Sequence, residues 1–252
     1  MVHAPQVPNQ EMLSLHYSQH DRNIEVSSLT VEVYESWRIS WFPSGLETHL
    51  DFGCGNGDLV NFMNSKGIRS VGCEIDGDIV TILKSKSIDV YETEEIVNSD
   101  LTFDIITIIE VLEHLPDPAK TLKMLASKLT PGGSIFITTP NFGSLNRRVQ
   151  RGNWRIFSFP EHLNIFEKRT FKDLVSRCGL QLESVKTQGL VVSVGNSDNP
   201  ETTPIQKILS VEKQRNFFVR NRFTMTLKRT INFVLNAFNL GDTLVAKIRL
   251  GN

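Results

Sequence analysis

A mostly parallel α/β sheet covered by helices on both faces is expected for this chain, on three grounds. From about residue 45 onward, short apolar runs alternate with stretches of helical pattern. A glycine-rich stretch, HLDFGCGNGDLV (His49–Val60), follows directly on the first of those runs. The run FDIITII (Phe103–Ile109) is strongly apolar and isoleucine-rich, as suits a strand buried on both faces.

The elements follow in order. A helix over roughly 27–42 would end at Pro43. His49–Phe52 reads as a strand and Leu59–Ser65 as part of a helix. Ser70–Glu74 is a strand, Asp78–Lys86 a helix and Asp89–Glu92 a short strand. After Phe103–Ile109 come a helix over Pro118–Leu129 and a strand over Gly133–Thr138, behind the turn Thr130-Pro131-Gly132-Gly133. Lys168–Cys178 is a helix stopped by Gly179, and Leu180–Thr187 and Asp242–Leu250 are the last strands. Between those two strands lie a Gly/Asn/Ser/Pro-rich linker, 195–204, and a basic segment read as a helical insertion. The chain thus divides into an N-terminal arm and helix (1–44), a core (45–195), the insertion (196–240) and a final core strand (241–252).

A length of 252 residues suits one large domain or one domain with an appendage. With 40% hydrophobic and 22% charged residues, a sizeable core is possible and the composition argues against wholesale disorder. Net charge is −1, but it is unevenly spread. Between Ile205 and Leu240, seven basic residues face one acid, Glu212, so the preceding body is acidic. Three scattered cysteines make no disulfide framework or metal spacing, which points to a reducing, cytoplasmic compartment. The N-terminus lacks a signal-peptide pattern, and no run of about 18 apolar residues is present.

Glycines after a strand let backbone approach a ligand closely, and the following helix start offers free N–H groups. A dinucleotide-binding loop would carry a third glycine at position 58, which is Asp58 here. The pattern is instead GxGxG over Gly53, Gly55 and Gly57, preceded by Asp51. Glu74 ends the next strand, where a carboxylate can accept hydrogen bonds from ribose hydroxyls. Acids around the loop disfavour a phosphate and suit a cationic ligand.

These residues resemble the nucleotide-binding motif of the class I S-adenosylmethionine-dependent methyltransferases. Further stretches extend the resemblance: VGCEID (Val71–Asp76), FDIITIIEVLEHLPDP (Phe103–Pro118), LTPGGSIFITTPN (Leu129–Asn141), PEHLNIFEKRTFKDLVSRCGL (Pro160–Leu180) and GDTLVAKIRL (Gly241–Leu250). The Pro160–Leu180 stretch is similar to the subgroup that includes ubiquinone-biosynthesis O-methyltransferases and many sugar and polysaccharide methyltransferases. The resemblance implies a Rossmann-like, seven-stranded, mostly parallel sheet and S-adenosylmethionine as cofactor. It implies that Asp51 lies near the methionine ammonium. Gly53, Gly55, Asn56 and Gly57 would let the cofactor cross the strand ends, and Glu74 and Ile75 would meet the ribose end. Thr93 and Glu94 would lie beside the adenine, and Glu110 and Val111 would close the site. Cys54 is read as a small residue in tight space, not a reactive thiol.

A hydroxyl acceptor must lose a proton, and histidine is the usual base near neutral pH. His3 sits in the N-terminal stretch, and His49 is expected to pack at the surface. His16 and His20 lie in a segment that could fold over the site. His114, in LEHL, is read mainly as structural and secondarily as a catalytic candidate. His162, in PEHL, is the preferred base, with Glu161 orienting it or contacting a sugar hydroxyl. Trp154, Arg155 and Phe157 precede it and form either a stacking wall for the acceptor or anchors for a long loop. Tyr17 is a weaker candidate for an acceptor contact. No metal is expected.

The resulting expectation is O-methylation of a hydroxyl on a sugar, a saccharide precursor or a small metabolite. A quinone-like phenol is the alternative acceptor, and a non-catalytic cofactor-binding protein the alternative class. The insertion, 205–240, is read as a lid or homodimer element, or as a peripheral contact with an anionic membrane. Nucleic acid is not expected, because the acidic body repels phosphate.

Overall fold

The computed structural model describes residues 2–3, 42, 45–189, 230–231 and 233–251. The helix expected over 27–42, Tyr17, His16 and His20, and most of the basic insertion lie outside the described residues. Nine strands are described: β1 (Val2–His3), β2 (Thr48–Phe52), β3 (Arg69–Glu74), β4 (Val90–Glu92), β5 (Phe103–Ile109), β6 (Leu129–Pro140), β7 (Asn164–Ile165), β8 (Leu180–Gln188) and β9 (Thr243–Leu250). The helices are α1 (Asp58–Ser65), α2 (Gly77–Ser85), α3 (Thr93–Asn98), α4 (Pro118–Ala126), α5 (Leu145–Gln150) and α6 (Lys168–Arg177).

Seven strands form one sheet in the order β4-β3-β2-β5-β6-β9-β8. The first five run parallel, and β9 is antiparallel to both β6 and β8. This is the expected architecture, and it explains the apolar pattern of the centre. Helices on both faces leave no solvated side, so Ile105, Ile106 and Ile108 of β5 are each fully buried. Burying side chains of that size contributes about 1.5–3 kcal/mol each. The chain crosses in opposite directions from β2, toward β3 on one side and β5 on the other. That switch point opens a crevice at the strand C-termini, the ligand side of such sheets.

Local signals set most boundaries. Asp76 caps α2 by accepting from the Asp78 and Ile79 amides, and Asp117 caps α4 by accepting from Lys120, with Pro118 at the first helical position. Two expectations shift. The helix after Pro118 ends at Ala126, and β6 begins at Leu129, because Leu129 already pairs with Phe103 across the Thr130–Gly133 turn. The short helix α3 was not foreseen. It starts in a capping box, in which Glu92 and Glu95 satisfy each other's backbone N–H groups.

Beyond 229 the described residues include a helical stretch at 233–237. The chain's return into β9 is pinned by Asn141, whose amide donates to the carbonyls of Asn239 (3.1 Å) and Gly241 (2.6 Å). Among the described residues no helix is long and apolar enough to cross a membrane.

Candidate active site

The glycine loop leaves β2 under tight constraint. The amides of Gly53 and Cys54 both donate to the Cys73 carbonyl, at 2.8 and 3.1 Å, which folds the loop over the end of β3. Gly53 has φ +77°, and a Cβ placed there would collide with the Val111 side chain. Gly55, at φ +51°, has open space where a side chain would stand, so its backbone faces a free volume. Asn56 is half-buried in the turn, and the buried Gly57, with φ +75°, begins α1. Cys54 fills the gap beneath, at 2.6 Å from where a Cβ on Gly72 would lie, and burial pushes its thiol far up. It is a packing residue, as expected.

Three carboxylates surround this loop. Glu74 accepts from the Gly55 amide (3.0 Å) and the Ile75 amide (2.8 Å), so the ribose candidate is held against the loop. Ile75 beside it is 81% exposed, an apolar face open among the described residues. Asp58 starts α1, and one of its carboxyl oxygens is buried without a hydrogen-bond partner. Asp51 is buried in β2 and accepts from the Thr107 hydroxyl at 2.6 Å. Burial pushes the Asp51 carboxyl up to about 7, against the pull of Thr107, with Glu74 and Asp58 adding repulsion. Such a site suits a cation and disfavours a phosphate. Strand β4 leads to Thr93, which starts α3 with its hydroxyl 3.7 Å from the Cys73 sulfur, and to an exposed Glu94.

Asp51 makes the unliganded chain sensitive to pH. Its folded pKa lies above the ordinary carboxylate value of about 3.9. Between about pH 4 and 7 the unfolded chain has therefore lost a proton that the folded chain keeps, and stability falls as pH rises through that window. The urea midpoint is expected to be lower at pH 8 than at pH 5. In Asp51→Asn the part of the slope belonging to this group should vanish.

The second half of the site begins at Glu110, which ends β5 in a left-handed conformation (φ +53°), unusual for a side-chain-bearing residue. That turn leads into a short 3₁₀ segment, Leu112–His114. Glu110 touches solvent, yet protein crowds its carboxyl and raises its pKa, while Thr138 and His162 pull it back. Glu113 is buried and accepts from the Thr139 hydroxyl at 2.9 Å. Desolvation first, then repulsion from Glu110, raise its carboxyl well above the usual range.

The loop 154–163 folds back onto this segment. The Leu163 amide donates to the Glu113 carbonyl (2.8 Å), and His114 Nδ1 lies 2.8 Å from the Glu161 carbonyl. The His114 and His162 rings meet edge-on with centroids 4.7 Å apart. His162 Nδ1 lies 2.7 Å from the Ile156 carbonyl. A carbonyl only accepts, so Nδ1 is the donor in this contact.

Four expectations are refined by this geometry. The group that orients His162 is the Ile156 carbonyl, whereas Glu161 accepts from the Ser158 hydroxyl at 2.8 Å. Trp154 is 5% exposed and stacks edge-on against Phe157, which makes it the loop's anchor and not a free wall. Phe157 and Arg155 remain exposed at the rim. His49 is fully buried between β3 and β5, not packed at the surface, because strand β2 is interior along its whole length. Finally, Glu113, His114 and His162 bring possible ligand atoms within 4.8 Å of one another, a grouping of donors that a divalent cation could use.

A mostly parallel sheet, a glycine loop at its switch point and a ring of carboxylates form a site suited to a cationic nucleoside, and the segment whose Val111 packs on that loop leads to a histidine cluster. Comparison with known proteins makes this specific. A family model described as a methyltransferase domain matches residues 37–185, and the chain belongs to that family. A ubiquinone biosynthesis O-methyltransferase of Hydrogenovibrio crunogenus is 34% identical over 136 residues, covering 49% of this chain and 53% of that one. Its namesake in Aliivibrio fischeri is 29% identical over 130 residues, covering 48% and 53%. The chain thus spans about half the length of the curated relatives it matches. The fold is that of solved S-adenosylmethionine-dependent methyltransferases. One from Archaeoglobus fulgidus aligns over 95% of this chain and 99% of its own, with 21% identity and a TM-score of 0.53. The plantazolicin methyltransferase BamL aligns over 97% and 92%, with 18% identity and a TM-score of 0.55.

Proposed function

We propose that this protein methylates the oxygen of a hydroxylated small molecule, with S-adenosylmethionine as methyl donor and His162 as general base. The observation that carries the reading is the join between the two halves of the site. Val111 packs against the Gly53 turn, and three residues on, His114 meets the His162 ring. One short segment therefore links the cofactor loop to the base.

The residues present fit the cofactor. Gly55 opens its backbone to free space, Glu74 stands at the ribose position, Ile75 offers an uncovered apolar face to the nucleoside, and Asp51 provides negative charge for the ammonium. When bound, S-adenosylmethionine supplies a methyl group already activated on a sulfonium. The protein holds the acceptor in line with it and takes the proton. As the acceptor oxygen gains the methyl, its hydrogen passes to His162 Nε2, and the Ile156 carbonyl stabilises the resulting imidazolium through Nδ1–H.

For the acceptor, the relatives named for ubiquinone biosynthesis favour a quinone-like phenol. The exposed faces of Phe157 and Phe159 at the rim suit a flat ring. A sugar hydroxyl remains the second reading, supported by the exposed Arg155 and the three acids near the cluster. At the end of the insertion, Phe233, Val234 and Phe238 are exposed, which supports a surface role for this segment as a membrane or dimer contact.

The test is transfer of labelled methyl from S-adenosylmethionine into an extract separated into lipid, glycan and small-metabolite fractions. Label in quinone-like lipids or aromatic metabolites is the expected result, and label confined to glycan moves the acceptor to a sugar. Repeating the assay with a strong chelator tests the cluster. A free histidine base keeps full activity. Activity lost to the chelator and restored by a divalent cation would instead reassign His114 and His162 as ligands.

A further inference from the structure

Beneath the glycine loop runs a buried polar chain that crosses three strands. The Ser70 hydroxyl lies 2.7 Å from His49 Nδ1, His49 Nε2 lies 2.9 Å from the Thr107 hydroxyl, and that hydroxyl donates to Asp51 at 2.6 Å. The residues are in register: His49 pairs with Ser70, and Asp51 with Thr107. Ser70, His49, Thr107 and Asp51 are all buried, at 2, 0, 0 and 5% exposure, in an otherwise apolar core. Phe42 packs on the His49 ring, with centroids 6.5 Å apart.

Proton counting gives the chain a direction. Thr107 has one hydroxyl proton, and the 2.6 Å contact places it on Asp51. His49 Nε2 must then donate to Thr107, which leaves Nδ1 unprotonated and accepting from Ser70. Burial lowers the His49 pKa to about 3, so the ring is neutral, as this pattern requires. Every donor points toward Asp51. A protonated Asp51 that donated its hydrogen to Thr107 would turn the Thr107 hydrogen away from it, toward the more distant Leu50 carbonyl at 3.4 Å.

We propose that Ser70, His49 and Thr107 are positioning residues that hold Asp51 as a carboxylate, with its remaining oxygen kept for the ammonium group of the cofactor. The proposal rests on the methyltransferase reading and deepens it, by assigning cofactor affinity to groups that never touch the cofactor. Opposing the chain are Glu74 from the end of β3 and Asp58 from the start of α1, whose charges favour a protonated Asp51, while the nearby Cys54 and Cys73 thiols stay neutral. Asp51 therefore sits near its titration point, where one hydrogen bond decides its charge.

The experiment compares two probes by calorimetric titration at pH 6, 7 and 8. S-adenosylhomocysteine carries the ammonium, and 5′-methylthioadenosine has the same nucleoside without it. In Thr107→Val the affinity for S-adenosylhomocysteine is expected to fall about fivefold at pH 7, the effect of raising the Asp51 pKa by about one unit from about 7. Its pH dependence should move to higher pH, and 5′-methylthioadenosine should bind within twofold of the parent chain. His49→Leu should act in the same direction, and Thr107→Ser, which keeps the hydroxyl, should restore the parent profile. Equal loss of both probes would show a structural role only and overturn the proposal, as would an unchanged pH profile in Thr107→Val. Failure of the parent chain to bind either nucleoside would overturn the cofactor reading as well.

Discussion

Replacing His162 by glutamine or alanine is expected to lower kcat by roughly 10²–10⁴-fold while leaving S-adenosylhomocysteine affinity unchanged. The ring's only role in this reading is to receive a proton, so its loss should be visible in turnover and not in cofactor binding. His114→Ala is the necessary contrast. Its Nδ1 ties the 3₁₀ segment to the Glu161 carbonyl, so its removal should lower the melting temperature and loosen the loop. A His162 variant that keeps full turnover with the true acceptor would remove the base from this mechanism.

Gly53→Ala should cost more than any other single methyl group in the fold's cofactor half. The residue is held at φ +77° by the paired amides on Cys73, a conformation that costs an L-residue about 1–2 kcal/mol. The new Cβ would also strike Val111, which sits between the loop and the histidine segment. We expect a lower melting temperature and at least a tenfold loss of S-adenosylhomocysteine affinity, because either the loop or Val111 must move. The double variant Gly53→Ala/Val111→Ala separates the two causes. It relieves the collision and leaves the backbone strain, so partial recovery of affinity is expected. No recovery would place the whole cost in the backbone.

Much of the fold was legible without coordinates. Runs such as Phe103–Ile109 suit a strand buried on both faces, as the inner strands of a helix-covered parallel sheet are, and the glycine loop with Glu74 one strand later marks the ligand end of that sheet. These are local signals, carried by periodicity and by residues that few other conformations tolerate. The cofactor half of the site is read in the same way, since its residues lie within one strand–loop–helix–strand unit.

The histidine half was legible only as candidates. Nothing in the chain's order says that Ile156, and not Glu161, orients His162, or that Trp154 lies beneath the loop and Phe157 above it. Those outcomes depend on how a loop nearly fifty residues downstream docks on the Leu112–His114 segment. His49 shows the same limit from inside the sheet. Two residues before Asp51, it shares that residue's face, so alternation alone could have flagged it. Its partners Ser70 and Thr107 come from other strands, and only the sheet's register brings them together. Strand identity and the glycine turn follow from local preference and hydrophobic pattern. The charge proposed for Asp51 and the base proposed here rest on contacts between distant segments, in a buried setting where one hydrogen bond outweighs any local propensity.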